Sequence, residues 1–203
     1  MLKLTFNQSK TETIVRAAST VIFSHLIKNG ACVVSLSSVS EKPQYGYTAS
    51  AEGQQVGPKF IRITDLQDGK IDWTSVPYCK CDEPDKYLIC PKDILFARTG
   101  ATTGKTHLVT DAPMAIFASY LIRLRSKSNV LPEYLYSFFQ SNNYWHQIIE
   151  EKEGSAQPNV NGKKLADIKV PVVDKNLQFS ISEFIKVVRA RQDGEPLGSM
   201  SPF

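Results

Sequence analysis

Apolar residues near the start of the chain recur every three or four positions, as they do on one face of a helix. Ser9 and Glu12 form a capping-box pattern at the beginning of this stretch, and Asn29-Gly30 supplies a stop signal after Lys28. The pattern therefore predicts a helix over residues 9–28, which fills most of an N-terminal segment of residues 1–30.

Beyond this helix the apolar residues fall into short runs that glycine, proline and aspartate interrupt. Runs rich in β-branched and aromatic residues between turn residues are typical of strands. A longer apolar run, Met114–Leu124, is predicted to be a buried segment that ends in a strand, and turns are predicted at Asp68-Gly69 and around Pro77 and Pro84. The other predicted strands are Cys32–Leu36, Lys59–Ile63, Tyr87–Ile89, Ile94–Arg98 and Thr106–Val109.

Helical spacing returns after Pro132, which stands where a helix can begin. A helix or a pair of helices is predicted over residues 132–151, and a last helix over residues 178–191. A polar loop and a strand-like run at 169–173 lie between them. The predicted fold class is α+β: a globular, β-rich domain of residues 31–175 flanked by α-helices, a helical region of residues 176–192, and a flexible tail of residues 193–203.

Composition supports one folded domain, because 42% of the 203 residues are hydrophobic and 10% are aromatic. No apolar run approaches the roughly 20 residues that span a bilayer, and no signal peptide is visible. We therefore expect a cytoplasmic protein with reduced thiols and no membrane contact. Cys79, Cys81 and Cys90 could supply three zinc ligands, but their spacing matches no common zinc finger, so no metal site is predicted.

The net charge is only +4, but it is distributed unevenly. Residues 96–130 carry five basic side chains against one acidic side chain, whereas residues 61–95 carry seven acidic against five basic. Positive charge in a stretch rich in threonine and glycine indicates an anionic partner at one face of the domain. Ordinary solvated charge is the alternative that this count leaves open.

Residues 98–106, RTGATTGKT, end like a phosphate-binding P-loop. A P-loop needs four residues between its first glycine and Gly-Lys-Thr, and a helix afterwards. Here three residues separate Gly100 from Gly104, and the β-branched run after Lys105 predicts a strand. These departures disfavour a P-loop, and a nucleotide-binding enzyme that uses residues 98–106 is kept as the alternative function. No other catalytic motif is recognisable around the three histidines.

Several segments follow one another in an order that is specific as a set. They are YGYT, KFIRITDL, DILFARTGATTGKT, SYLIRLR, PEYLYSFFQS and GSAQPNVNGKKLADIKVPVV. Together they resemble the target-recognition half of type I restriction-modification specificity subunits, over residues 33–174. The resemblance implies a domain that reads one half of a split double-stranded DNA sequence, followed by a helical spacer region to which the C-terminal helix belongs.

The same resemblance implies that the chain has no catalytic activity and binds no cofactor. Its partners would be methyltransferase subunits and, indirectly, a restriction and translocase subunit; these partners would carry S-adenosylmethionine, ATP and magnesium. The last helix is shorter than the family's spacer helix, and only one recognition domain is present. A fragment of a longer subunit and a half-subunit that self-associates through its terminal helices both remain open, as does a role as a protein-binding scaffold.

Candidate DNA contacts follow from the chemistry of each side chain. Cations and hydroxyls suit phosphates, while planar amides, guanidinium groups and aromatic rings suit base edges. Gln157, Asn159 and Asn161 could contact bases as well, but the resemblance implies that they belong to a structural loop that joins the domain to the following helix. The predicted phosphate contacts are Arg98, Thr99, Thr102, Thr103, Lys105, Lys163 and Lys164, and the predicted base contacts are Gln44, Tyr45, Tyr47 and Arg62, with Lys42 in the same loop as Gln44. For Arg98 and Lys105, a surface loop that caps its own turn is the alternative.

Overall fold

The computed structural model describes residues 10–66, 70–150 and 159–193. The turn predicted at Asp68-Gly69, most of the polar loop and nearly all of the predicted flexible tail lie outside the described residues. Within the described ranges, no helix combines the length and apolar character that crossing a membrane requires.

A helical layer is built from both ends of the sequence. Helix α1 (Lys10–Lys28) packs against α7 (Lys175–Asp193) and also against α4 (Pro132–Gln140) and α5 (Asn142–Glu150). Helices α4 and α5 confirm the pair predicted over residues 132–151, and the break between them is at Ser141. Helix α7 begins three residues before the predicted start, because the Asp174 carboxylate accepts hydrogen bonds from two amides of its first turn.

A four-stranded antiparallel sheet lies against this layer, in the order β2 (Gln44–Tyr45), β7 (Leu121–Leu124), β4 (Ile94–Ala97) and β5 (Thr106–Leu108). Strand β4 is buried on both faces. Ile94 and Phe96 belong to the core beneath the helices, whereas Leu95 and Ala97 belong to a second core on the other face. This alternation follows from the two-residue period of a strand.

The described residues also form two smaller sheets. Strand β1 (Cys32–Ser35) pairs antiparallel with β8 (Lys169–Val172), and β3 (Lys59–Ile61) pairs parallel with β6 (Ala115–Phe117). The short helical elements are α2 (Leu36–Val39), a 3-10 turn (Ile63–Asp65), α3 (Pro84–Tyr87) and α6 (Gly162–Asp167). The α+β class is confirmed.

One predicted strand is wrong. Tyr87 ends α3, and Leu88 forms only an isolated bridge to Ile116. Pro84 explains the difference, because its fixed φ favours the first turn of a helix, and it occupies that position here. The buried segment 114–124 also differs from expectation, since it forms two strands, β6 and β7, with a turn at Ser119-Tyr120 between them.

Candidate nucleic-acid interface

Arg98 lies at the end of β4, where its guanidinium stacks on the ring of Tyr45 at 4.8 Å from the ring centroid. Its Nη1 donates a hydrogen bond to the Ser119 carbonyl at 3.3 Å, and its backbone N–H donates to the Tyr120 carbonyl at 3.1 Å. Tyr45 is 40% exposed and Arg98 is half-buried. The guanidinium is therefore oriented by an aromatic ring at the surface of the domain.

Helix α6 is joined to the same place through Tyr45. The Tyr45 hydroxyl accepts a hydrogen bond from the Gly162 amide at 2.8 Å, and Gly162 is the first residue of α6. The next residue, Lys163, is exposed, while Lys164 is half-buried. Asn161 caps α6 by accepting the Lys164 amide at 2.9 Å, which confirms its structural assignment.

The loop that precedes α6 also contacts the end of β4. Thr99 pairs with Asn159 through a backbone bridge, and the Val160 amide donates to the Arg98 carbonyl at 2.8 Å. Asn159 therefore takes part in the backbone pairing at this edge, whereas Gln157 lies outside the described residues. Strands β2 and β4 and helix α6 therefore meet at one edge of the domain.

A groove of about 440 Å³ lies beside this edge. Tyr47, Arg62 and Thr64 line one part of it, and Ser119 and Tyr120 line another. Because Arg98 hydrogen-bonds to the backbone of the Ser119-Tyr120 turn, the groove and the stacked arginine form a continuous surface. We call this the aromatic–arginine surface and define it by Tyr45, Tyr47, Arg62, Arg98 and Tyr120.

Arg62 is fixed by a carboxylate in its own turn. Its Nη2 and Nε donate to the two oxygens of Asp65 at 2.8 and 3.1 Å, and these hydrogen bonds raise the pKa of the guanidinium above its ordinary value. The side chain is 42% exposed. Since a guanidinium has five N–H donors, the pair with Asp65 leaves further donors for a ligand in the groove.

Gln44, predicted to read bases, is held at both ends of its amide. Its Oε1 accepts a hydrogen bond from Arg123, and its Nε2 donates to the Lys86 carbonyl at 2.8 Å. In this conformation both ends of the Gln44 amide are hydrogen-bonded within the protein. Lys42, two residues earlier, is exposed.

The positive charge counted in residues 96–130 is partly internal. Arg123 is only 6% exposed and lies 3.8 Å from Asp93. Arg125 forms a bidentate pair with the same aspartate at 2.6 and 3.1 Å, and Lys127 donates to backbone carbonyls of α2. The local excess therefore overstates the charge available to a partner.

The second half of the 98–106 loop turns away from the aromatic–arginine surface. Gly100 and Gly104 have φ of 78° and 90°, in the left-handed region that glycine tolerates. Thr103 is buried, and its hydroxyl donates to the Gly100 carbonyl at 2.6 Å. Lys105 pairs with Glu12 of α1 at 3.4 Å, and Thr102 lines a small cavity beside it.

This loop is not a P-loop, because strand β5 and not a helix follows Lys105. Of the predicted phosphate contacts, Arg98, Thr99, Lys163 and Lys164 lie together, whereas Thr102, Thr103 and Lys105 lie with the helical layer. Among the residues that the structure describes, no group of three or more histidine, cysteine, aspartate or glutamate side chains is arranged to hold a metal ion.

Sequence reasoning missed Tyr120, although it is 62% exposed in the middle of an apolar run. It also missed Thr64 and Ser119, which line the groove. The available signal was the polar pair Ser119-Tyr120 that interrupts the apolar run 114–124. Read as a turn between two strands, that pair would have pointed to an exposed aromatic residue.

Residues 29–193 match the family described as the type I restriction modification DNA specificity domain. The chain belongs to this family. It is 26% identical over 160 residues to a putative type I restriction enzyme MjaX specificity subunit of Methanocaldococcus jannaschii, covering 74% of this chain and 37% of the relative. It is also 26% identical over 152 residues to the EcoKI specificity subunit of Escherichia coli K12, covering 71% of this chain and 32% of the relative.

Solved structures of low identity support the fold of this specificity domain. The HsdS subunit from Thermoanaerobacter tengcongensis has a TM-score of 0.66 at 17% identity, over 94% of this chain and 46% of that chain. A chain from a type I R-M system, solved in work on its complex assembly and conformational transition, has a TM-score of 0.67 at 20% identity, over 91% of this chain and 45% of that chain. The specificity domain described here therefore spans less than half of each of these relatives.

Proposed function

We propose that this domain recognises one half of a bipartite double-stranded DNA target, as the specificity subunit, or half of it, in a type I restriction-modification complex. The match of residues 29–193 to the DNA specificity domain carries the proposal. The nucleotide-binding alternative loses its support, because the 98–106 loop lacks the helix that a P-loop requires.

In this proposal the aromatic–arginine surface reads the target. A guanidinium can donate two hydrogen bonds to a guanine edge, and an aromatic ring packs on bases or on the thymine methyl group. Arg98 is oriented in advance by stacking on Tyr45, so less conformational entropy is lost on binding. Arg62, with Asp65 behind it, is the second guanidinium on this surface.

Phosphate contacts in this proposal come from the edge of the same surface. Lys163 is exposed at the start of α6, where the Tyr45 hydroxyl holds the helix, and Thr99 and Lys164 lie nearby. Lys42 is exposed just before β2. Such contacts fix the position of the domain on the duplex without specifying sequence. We assign Gln44, Thr102, Thr103 and Lys105 to the framework, since three of them are engaged within the protein and Thr102 lines the cavity beside Lys105.

The chain would contribute recognition and no catalysis. Its methyltransferase subunits would bind S-adenosylmethionine, while ATP and magnesium would belong to a restriction and translocase subunit that joins indirectly. The cytoplasm is the compartment in which such a complex meets DNA. Exposed apolar residues on the terminal helices, Val21 at 70%, Phe179 at 60% and Phe184 at 52%, support self-association or subunit contact there.

The test begins with methylome sequencing of a host that carries the intact system, which yields the methylated motif. Duplexes that contain this motif are then bound in vitro by the complex with Arg98→Gln or Lys105→Gln. We expect Arg98→Gln to weaken specific binding by roughly tenfold or more, since a well-placed arginine contact contributes about 1–3 kcal/mol of discrimination.

Lys105→Gln is the matched control, because it removes a cation from the other end of the same loop. We expect it to leave the salt dependence of binding unchanged, whereas each lost phosphate contact would reduce the log–log slope by about 0.9. If the Arg98→Gln complex bound the motif as tightly as the unsubstituted complex does, Arg98 would not belong to the proposed interface. A system that leaves no methylated motif would count against recognition itself.

A further inference from the structure

A small cavity of about 40 Å³ lies between the 98–106 loop and the helical layer. Glu12 and Arg16 of α1 line it, together with Lys105, His107 of β5 and Arg189 of α7. The aromatic–arginine surface does not include any of these side chains. These polar groups therefore have no role in the proposed DNA recognition.

The charges around this cavity do not balance. Three cationic side chains, Arg16, Lys105 and Arg189, meet one carboxylate, Glu12, which lies 3.4 Å from the Lys105 ammonium. Arg16 stacks on Trp145 at 4.8 Å, and its burial lowers the pKa of the guanidinium from its ordinary value. Burying cations without counter-charges is costly, so the arrangement favours an additional anion.

Three buried polar atoms of the residues that line the cavity also lack a hydrogen-bond partner among the described residues. They are Nδ1 of His107, Nη2 of Arg189 and Oε2 of Glu12, whose other oxygen pairs with Lys105. His107 is 6% exposed, so water at the protein surface does not solvate it. Most buried polar atoms in proteins are hydrogen-bonded, and each exception calls for an explanation.

Neutral donors complete the lining. Thr102 and Thr106 belong to the loop and to β5, and Gln140 of α4 donates to the Thr106 hydroxyl at 3.0 Å. A volume of about 40 Å³ exceeds the roughly 10–15 Å³ that one water needs, yet it is far below the roughly 300 Å³ at which small-molecule pockets begin. The size and the donors fit a single compact group.

We propose that this cavity binds one tetrahedral oxyanion of the phosphate class, held by Arg16, Lys105 and Arg189 with His107 as a buried hydrogen-bond donor. The oxyanion would connect the second half of the 98–106 loop to α1 and α7. The ligand is a free oxyanion and not a phosphate of the DNA backbone, because the cavity is small and lies against the terminal helices. This proposal does not rest on the proposed DNA function.

The first test measures binding of inorganic phosphate to the full chain, by calorimetry and by thermal unfolding, with potassium chloride at equal ionic strength as the reference. Arg189→Gln removes one cation from the cavity, and Arg191→Gln removes an exposed cation from the same helix as the matched control. We expect phosphate to raise the melting temperature more than chloride does, and Arg189→Gln to weaken phosphate binding at least tenfold while Arg191→Gln leaves it unchanged. Equal stabilisation by the two salts, or equal binding by the two variants, would overturn the proposal.

A second measurement needs no variant. Phosphate bound beside His107 stabilises the imidazolium, so titrating phosphate should raise the pKa of His107 in the NMR spectrum and leave the resonances of the exposed His25 unmoved. Saturating changes at both histidines, or at neither, would contradict the site. Adding a duplex should not release the phosphate; release by DNA would show that the cavity belongs to the nucleic-acid interface and would overturn a free-oxyanion site.

Discussion

The two cations that flank the glycines of RTGATTGKT occupy different environments. Arg98 stacks on a surface tyrosine at one edge of the domain, whereas Lys105 pairs with Glu12 beneath the helical layer. The two ends of the loop are nevertheless held close together. The Gly104 amide donates a hydrogen bond to the Ala97 carbonyl, and the Ala97 amide donates one to the Lys105 carbonyl. Closeness in sequence therefore says little about which surface a charged side chain serves.

The difference comes from what packs behind each end of the loop. At the Arg98 end, the Ser119-Tyr120 turn and the segment before α6 supply carbonyl and amide groups that hold the backbone near the surface. At the Lys105 end, Gly104 lies against α5, where Tyr144 donates a hydrogen bond to its carbonyl at 2.8 Å. One end is accessible to a macromolecule, and the other is part of the core.

The largest effect should come from adding a methyl group to each glycine of the loop. Gly104→Ala places a Cβ 3.0 Å from Ile148 and 3.1 Å from Trp145 in a left-handed conformation, whereas Gly100→Ala meets nothing within 4 Å. Backbone strain costs about 1–2 kcal/mol, and crowding of the core adds about 1–3 kcal/mol. We expect urea denaturation to show a loss of about 2–5 kcal/mol for Gly104→Ala and about 1–2 kcal/mol for Gly100→Ala. Equal losses would mean that both ends of the loop are equally open.

The next effect concerns His107, which lies on the Lys105 side. Burial, and then the charge of Arg189, lower the pKa of His107 from 6.5 to about 4. Between these pH values the unfolded chain binds a proton that the native state does not bind. The contribution of His107 to the free energy of unfolding is therefore fully present above pH 6.5. It is lost as the pH falls toward 4, and it changes no further below pH 4. The total loss should be of order 3 kcal/mol, since one unit corresponds to about 1.4 kcal/mol.

This pH dependence can be assigned by comparing two histidine variants in buffers without phosphate. His107→Asn should flatten the fall in unfolding free energy between pH 6.5 and 4, and His25→Asn, an exposed site on α1, should leave it in place. If His25→Asn flattens the curve as well, groups other than His107 determine the acid sensitivity.

The hydrophobic pattern predicted most helices and strands because their burial follows the period of each element. Helix α1 and strand β4 show this, with Val15, Ser19 and Phe23 on one helical face and alternate β4 residues in two cores. The pattern misread Tyr87–Ile89, since three apolar or aromatic residues in a row carry no period. Pro84 was the more informative residue there.

The candidate site was harder to predict, because side chains that look alike in sequence differ in their partners. Gln44 and Tyr45 are neighbours on β2, yet the amide of Gln44 is bound to Arg123 and Lys86 while the ring of Tyr45 supports Arg98. No feature of one sequence states which donors are already satisfied within the fold. Tyr120 was missed for a related reason, since its exposure depends on a turn between two buried strands.

The smallest predicted effect tests how the Arg98 side is held together. Tyr45→Phe keeps the ring under Arg98 but removes the hydroxyl that accepts the Gly162 amide at 2.8 Å. Because this hydrogen bond is partly exposed, its loss should reduce the unfolding free energy by about 1 kcal/mol or less. Hydrogen exchange of the Gly162 amide should become faster, since that amide loses its acceptor. Tyr120→Phe, at an exposed tyrosine of the same surface, is the matched control and should leave this exchange rate unchanged. An unchanged Gly162 amide in Tyr45→Phe would show that α6 is positioned by other contacts, and that Lys163 is presented independently of the stacked arginine.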